Sequence, residues 1–254
     1  MILHGLFGMG RNWATIAKAL SETHRVLTLD LRNHGASPWD DAMDYPLMAG
    51  DVAKLIETQF AGPVAVIGHS MGGILASIYA AVFPERVSAI AMIDACGPLT
   101  LPPETSTEQL RASILSRMPK PGRTGSPREV DLDAAVAARC KMSDITAEHA
   151  ATILRRNITI REDGLSGWRS DPRLRTKSSL RLTESQAQNL MEAIECPVWI
   201  GGATDSFKEL ETAYNKRKSW LKNSRFELFS GGHHFHMVNP SAVGNAICRF
   251  VEEM

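Results

Sequence analysis

The sequence lacks several features that would define a function class at once. Lys plus Arg and Asp plus Glu are equal at 28 each, so no excess charge attracts nucleic acid or an anionic membrane. No apolar run approaches the roughly 20 residues that a membrane-spanning helix needs, and the first residues show no signal-peptide pattern. The four cysteines (Cys96, Cys140, Cys196 and Cys248) have no redox-motif or metal-site spacing. We therefore expect reduced thiols and a cytoplasmic protein.

The stretch from residue 64 to residue 81 carries the clearest chemical pattern. Branched apolar residues predict a buried strand, Gly68-His69-Ser70-Met71-Gly72 ends it, and apolar residues at helical spacing follow. A strand that turns directly into a helix strains the residue at the tip and requires glycine neighbours. The pattern predicts Ser70 as an exposed nucleophile beside the first helix amides, including that of Met71. A serine that only caps the helix is the structural alternative.

Predicted strands and helices alternate over much of the chain. We expect six strands, near residues 1–4, 25–31, 64–69, 87–94, 197–202 and 225–229, which indicates an α/β fold with a mostly parallel sheet. Ligands bind at the carboxyl ends of such strands. The sequence places Ser70, Asp94, Asp205 and His233 at those ends. A serine, a histidine and a carboxylate are the groups that nucleophilic catalysis requires.

Residues 97–195 differ from the rest of the chain. They contain several prolines and helical patterns, and no strand is predicted among them. A connection of this length is too long for a loop, so we expect a helical cap inserted between core segments 1–96 and 196–254. Met118, Met142 and Met191 either contact an acyl chain or simply pack this cap on the core.

Together these motifs resemble the α/β-hydrolase superfamily, within it the esterase and serine-hydrolase-like group, over nearly the whole chain. The resemblance depends on His4-Gly5-Leu6-Phe7-Gly8, the Ser70 pentapeptide, Ile93-Asp94 and Gly232-His233-His234. It implies Ser70 as nucleophile, His233 as base, and the amides of Leu6 and Met71 as an oxyanion hole. The implied substrate is a carboxylic ester with a small to medium acyl chain, and we expect no cofactor.

The acid that orients His233 remains open at this point. Asp205 matches the position that is common in the superfamily, whereas Asp94 matches the closer group. Either residue also has a structural explanation, because Asp94 could end a strand in a turn and Asp205 could cap a helix. We favour Asp94 slightly.

Three further expectations concern the ends of the chain and its histidines. The family usually has two strands before the His4 strand, so we expect either a truncated sheet or an upstream segment. Phe7, His69 and His234 are candidate substrate contacts. We expect no metal site, since His233, His234 and His236 on one short loop cannot easily converge on an ion.

Two alternative functions remain compatible with the sequence. The same triad could hydrolyse a thioester, a lactone or a carbon–carbon bond. The chain could also be a binding module that kept the fold without turnover. The oligomeric state cannot be inferred from the sequence.

Overall fold

The computed structural model describes residues 1–118, 129–142, 145–206 and 209–253. Its strands are β1 (Ile2–Leu3), β2 (Val64–His69), β3 (Val87–Ile93), β4 (Ile158–Ile160), β5 (Ser166–Trp168), β6 (Val198–Ala203) and β7 (Ser224–Phe229). Five of them form one sheet in the order β1-β2-β3-β6-β7, and every neighbouring pair is parallel. All five strands therefore place their carboxyl ends on the same edge.

Ten α-helices lie in the described part of the chain. They are α1 (Ala14–Leu20), α2 (Tyr45–Gln59), α3 (Met71–Val82), α4 (Ser106–Arg117), α5 (Leu132–Met142), α6 (Ala147–Arg156), α7 (Glu184–Glu192), α8 (Glu209–Arg217), α9 (Phe235–Val238) and α10 (Pro240–Glu252). Within the described ranges, no helix combines the length and the apolar character needed to cross a membrane.

Helices cover both faces of the sheet, as the continuous apolar runs of β2 and β3 require. On one face, α2, α3, α7 and α8 bury residues such as Val52, Leu75 and Met191 against the strands. On the other face, α1 and α10 pack Ile16 and Ile247 against the sheet. These two apolar layers fix the sheet, and with it the positions of the strand ends.

The expectation of six strands in the sheet is wrong by one. Residues 25–31 form no strand; only Thr28 makes a bridge to Ile2, and the carbonyl of Leu27 accepts a hydrogen bond from the amide of Ile2 at 2.8 Å. This segment lies beside β1, which has only two residues and offers few ladder partners. The side chains from Val26 to Asp30 are half-buried, as expected for a sheet edge.

The chain between β3 and β6 is helical, as predicted, with one exception. It contains α4 to α7, but β4 and β5 form a separate antiparallel hairpin in which Ile158 pairs with Trp168. The expectation that no strand interrupts residues 97–195 is therefore wrong. Hydrogen bonds join this segment between β3 and β6, called the insertion below, to the chain before β2. Among them are those from Trp39 Nε1 to the carbonyl of Arg169 at 2.7 Å and from the Asp171 amide to the carbonyl of Asn33 at 2.9 Å.

Candidate active site

Ser70 lies at the tip of the tight turn between β2 and α3. Its backbone has φ 51° and ψ −116°, a conformation that is strained for a residue other than glycine. A Cβ atom on Gly68 would lie 2.2 Å from the carbonyl oxygen of Gly72, and one on Gly72 would lie 2.4 Å from that of Leu3. The Ser70 side chain makes no helix-capping hydrogen bond. Ser70 thus stands at the N-cap position of α3 without using its hydroxyl to cap the helix, so side-chain capping does not account for the serine.

The end of β3 holds a buried carboxylate next to this turn. The amide of Ser70 donates to the carbonyl of Ile93 at 2.8 Å, and Asp94 follows with φ 52°. Asp94 Oδ2 is hydrogen bonded to His233 Nδ1 and also accepts from Ser206 Oγ. Asp94 is 3% exposed, and its Oδ1 has no hydrogen-bond partner within the described residues.

The second candidate acid lies elsewhere. Asp205 follows β6, its amide donates to the carbonyl of Gly231 at 2.9 Å, and the residue is exposed. Of the two aspartates, the structure brings Asp94 and not Asp205 into contact with His233. Ser206, the residue after Asp205, reaches this contact instead.

The loop after β1 approaches the turn that carries Ser70. The amide of Gly8 donates to the carbonyl of Gly5 at 2.9 Å, and Phe7 has φ 60°. A Cβ atom on Gly5 would lie 2.7 Å from Nδ1 of His69, so only glycine allows this close approach. Leu6 is exposed at the tip of this loop. Met71 is the first residue of α3, so its amide has no acceptor within the helix.

Three further histidines lie in the interior behind His233. Nε2 of His69 is 2.9 Å from the carbonyl oxygen of His233, and Nε2 of His234 is 3.1 Å from a guanidinium nitrogen of Arg139. His236 stacks on Trp13 with ring centroids 4.6 Å apart.

Burial keeps these three histidines neutral at physiological pH. It lowers the pKa of His69 well below 6.5, that of His234 to about 2 and that of His236 to about 3. His69 and His234 are buried, so their predicted contact with substrate would require movement and stays a prediction.

A cleft of about 580 Å³ lies between Leu6 of the core and the insertion. Most of its other lining residues are polar or charged, and they come from the chain around α4 and from residues 176–181. They are Leu101, Thr105, Glu108, Gln109, Ala112, Thr176, Lys177, Ser178 and Arg181. Of the three methionines considered above, neither Met118 nor Met191 lines this cleft. Met191 is buried in the core against Gly97, Met118 is exposed, and the side chain of Met142 lies outside the described residues.

Two residues near the site, Ser206 and Arg139, belong to no motif from which their contacts could be predicted. Ser206 is one polar residue among several after β6, and its contact with Asp94 depends on how β3 and β6 pair. Arg139 lies on a helix of the insertion, 95 positions before His234. Asp30 ties its turn to the loop after β1, since its carboxylate accepts from the amides of Gly10 and Ala36 at 2.8 Å.

Comparison with known proteins agrees with this architecture. A family model described as alpha/beta hydrolase fold matches residues 1–240. The sn-1-specific diacylglycerol lipase ABHD11 of Xenopus laevis is 30% identical over 266 residues, which span 99% of this chain and 79% of that protein. The esterase YbfF of Escherichia coli is 37% identical over 94 residues, 37% of each chain. The crystal structure of hypothetical protein PA1622 from Pseudomonas aeruginosa superposes with a TM-score of 0.83 at 27% identity, covering 99% of this chain and 90% of that one.

The chain belongs to the α/β-hydrolase fold family. The resemblance inferred from its motifs is confirmed.

Proposed function

We propose that the protein is a serine hydrolase that cleaves carboxylic esters with small to medium acyl chains. The observation that carries this proposal is the hydrogen bond between His233 Nδ1 and the buried Asp94 carboxylate, beside the strained turn that presents Ser70. The names of the related lipase and esterase support a hydrolase of ester substrates.

The proposed chemistry proceeds through an acyl-enzyme. Asp94 holds Nδ1–H of His233, so the lone pair of the ring is on Nε2, which accepts the proton of the Ser70 hydroxyl as its oxygen attacks the ester carbonyl. The amides of Leu6 and Met71 donate to the oxyanion that forms. His233 then gives the proton to the departing alcohol, and water repeats both steps to release the acid.

The cleft adjoins the candidate oxyanion hole at Leu6, and its lining includes neither Ser70 nor His233. We infer that the substrate reaches the site through this cleft. A volume of about 580 Å³ lies within the range of roughly 300–1,000 Å³ that is usual for small-molecule sites. Lys177, Arg181 and Glu108 make one wall polar, which favours an ester with a polar portion over a purely hydrocarbon substrate. The insertion acts as the cap over the strand ends. The cytoplasmic location and the absence of a cofactor are further parts of this proposal.

Hydrolysis of p-nitrophenyl esters tests the proposal. We expect activity that is highest between acetate and octanoate and falls for palmitate, because the cleft has a limited volume. Ser70→Ala should lower kcat by about a million-fold, as removal of a catalytic serine does in other hydrolases. Full activity in Ser70→Ala would contradict the proposal. A parallel panel of thioesters and lactones would identify a different preferred bond.

A further inference from the structure

Three histidine side chains that the proposed hydrolysis does not use meet behind the candidate active site. His69 ends β2, His234 immediately precedes α9, and His236 is the second residue of α9; we call these three the histidine cluster. One nitrogen from each ring lies within 4.8 Å of the others, and all three residues are buried. The expectation of no metal site rests on three histidines of one loop, His233, His234 and His236. In the structure, His69 of strand β2 and not His233 joins His234 and His236, so the three ligands come from two separate segments and can converge.

The hydrogen bonds of His69 leave one of its nitrogens available as a ligand. Its Nε2 lies 2.9 Å from the carbonyl oxygen of His233, and because a carbonyl only accepts, Nε2 carries the proton. The lone pair is then on Nδ1. Metal-binding histidines commonly donate their other N–H to a backbone carbonyl in this way, which fixes the tautomer and the ring orientation.

His236 supplies a second available nitrogen. Its Nδ1 is buried and has no hydrogen-bond partner within the described residues. An unpaired buried polar atom is costly, so a ligand that pairs with it would stabilise the structure. The ring cannot easily leave, because it stacks on Trp13 at 4.6 Å.

A small cavity provides space between these rings. It has a volume of about 10 Å³ and is lined by the histidine cluster together with residues that include Gly5, Leu6 and Trp13. By the same measure, one water needs roughly 10–15 Å³. The cavity therefore suits a single atom or ion and excludes an organic ligand.

We propose that the histidine cluster binds one zinc-class divalent cation (Zn²⁺, Co²⁺, Ni²⁺ or Cu²⁺) through one nitrogen of each ring. Neutral imidazoles suit these metals, and a set without carboxylates disfavours Mg²⁺ and Ca²⁺. A zinc–nitrogen distance of about 2.0–2.1 Å requires ligand nitrogens about 3.4 Å apart, so the rings close by about an ångström or more on binding. A water completes the tetrahedron.

Arg139 limits the affinity of this site. A guanidinium nitrogen lies 3.1 Å from His234 Nε2, so its positive charge opposes the ion and the side chain must move aside. We therefore expect affinity in the micromolar range. Arg139→Met removes the opposing charge and should tighten binding at least about tenfold.

Occupancy would connect two separate elements of the fold. His69 belongs to the strand that leads to Ser70, whereas His234 and His236 belong to the segment after His233. Because the ion binds only when both are in place, it stabilises the folded chain according to its concentration and dissociation constant.

Titration of the chelator-treated full chain with Co²⁺ tests the proposal without reference to hydrolysis. We expect visible absorption of tetrahedral Co²⁺ that saturates at one equivalent, together with a rise in Tm. His236→Phe keeps a ring stacked on Trp13 and should weaken binding at least about thirtyfold, the loss of one ligand. His24, which is half-buried and lies outside the histidine cluster, provides the matched control: His24→Gln should bind as the wild type does.

Absence of one-equivalent binding at millimolar Co²⁺ overturns the proposal, and so does unchanged binding by His236→Phe. Should that variant not fold, Arg139→Met decides, because unchanged or weaker binding there also contradicts the assignment. Hydrolysis is not the readout, so either result leaves the proposed esterase activity to its own test.

Discussion

The carboxyl ends of the sheet fall into two regions that differ in burial. His4, His69 and Asp94, at or just after the ends of β1, β2 and β3, are each 3% exposed or less. After β6 and β7, in contrast, Thr204, Asp205 and Ser230 are exposed. A buried carboxylate can hold an imidazolium in a low-dielectric setting, whereas an exposed one is screened by water. Burial and contact with His233, more than position in the motif, therefore distinguish Asp94 from Asp205.

The largest expected effect separates the two aspartates directly. Asp94→Asn should lower kcat for ester hydrolysis about 10⁴-fold, because the histidine loses the carboxylate that fixes its tautomer. Asp205→Asn should change kcat less than about threefold, as is usual for a surface substitution. Steady-state kinetics on folded variants measures both. The reverse ranking would make Asp205 the acid.

A second prediction concerns Arg217, which is hydrogen bonded to the chain just after Asp94, and its contribution to stability. The buried Arg217 guanidinium donates to the carbonyls of Cys96 and Pro98 at 2.8 and 2.9 Å and pairs with Glu184, which lowers the pKa of that carboxyl to about 2. Arg217→Met should lower the free energy of unfolding by about 3 kcal/mol, because it leaves buried acceptors unpaired. Urea unfolding measures the difference.

The exposed pair Arg225 and Glu253 provides the control for that experiment, since Arg225→Met should cost at most about 1 kcal/mol. Equal losses in the two variants would show that burial does not decide the contribution of Arg217.

The buried region should also lose stability in acid. Burial is the main cause that lowers the pKa of His4 to about 3. Below about pH 6.5, His4 therefore binds a proton in the unfolded chain but not in the folded chain. The free energy of unfolding falls as the pH drops. Between pH 7.5 and 5 the loss should be about 2 kcal/mol for His4 alone. Urea unfolding at both pH values measures it.

His4→Gln isolates this histidine, because glutamine does not take up the proton. The pH-dependent loss should shrink by about 2 kcal/mol in that variant and stay as in the wild type in His24→Gln. An unchanged pH dependence in His4→Gln would contradict the burial argument.

The smallest effect concerns Ser206, which connects the two regions. Its hydroxyl donates to Asp94 Oδ2, so Ser206→Ala removes one of the two hydrogen bonds on that oxygen. We expect kcat to fall about tenfold, equivalent to about 1.4 kcal/mol. An effect as large as that of Asp94→Asn would mean that Ser206 takes part in the chemistry itself.

Local sequence patterns predict most elements of this fold. The turn at Ser70 depends on glycines that lie within four residues of it. The start of α10 at Pro240 agrees with the preference of proline for the first position of a helix. The hairpin of β4 and β5 is harder to predict. Asp163-Gly164 is a turn signal, with Gly164 at φ 79°, but each strand has only three residues, too few for a clear alternation of apolar and polar side chains.

Other features depend on packing between distant segments. Residues 25–31 have the composition of a strand, yet the two-residue strand β1 pairs with them only through the bridge between Ile2 and Thr28. The choice between Asp94 and Asp205, the role of Ser206 and the meeting of His69 with His236 depend on how separate strands and loops pack. No local periodicity encodes those contacts.

The most direct test of the central claim is covalent labelling with a fluorophosphonate, followed by mass spectrometry of the digested protein. Such a probe reacts with a serine only where a base accepts its proton. We predict one adduct per chain, located on Ser70, and none in Ser70→Ala. An unlabelled wild-type chain, or an adduct on another residue at the same rate, would contradict the claim that Ser70 is the nucleophile.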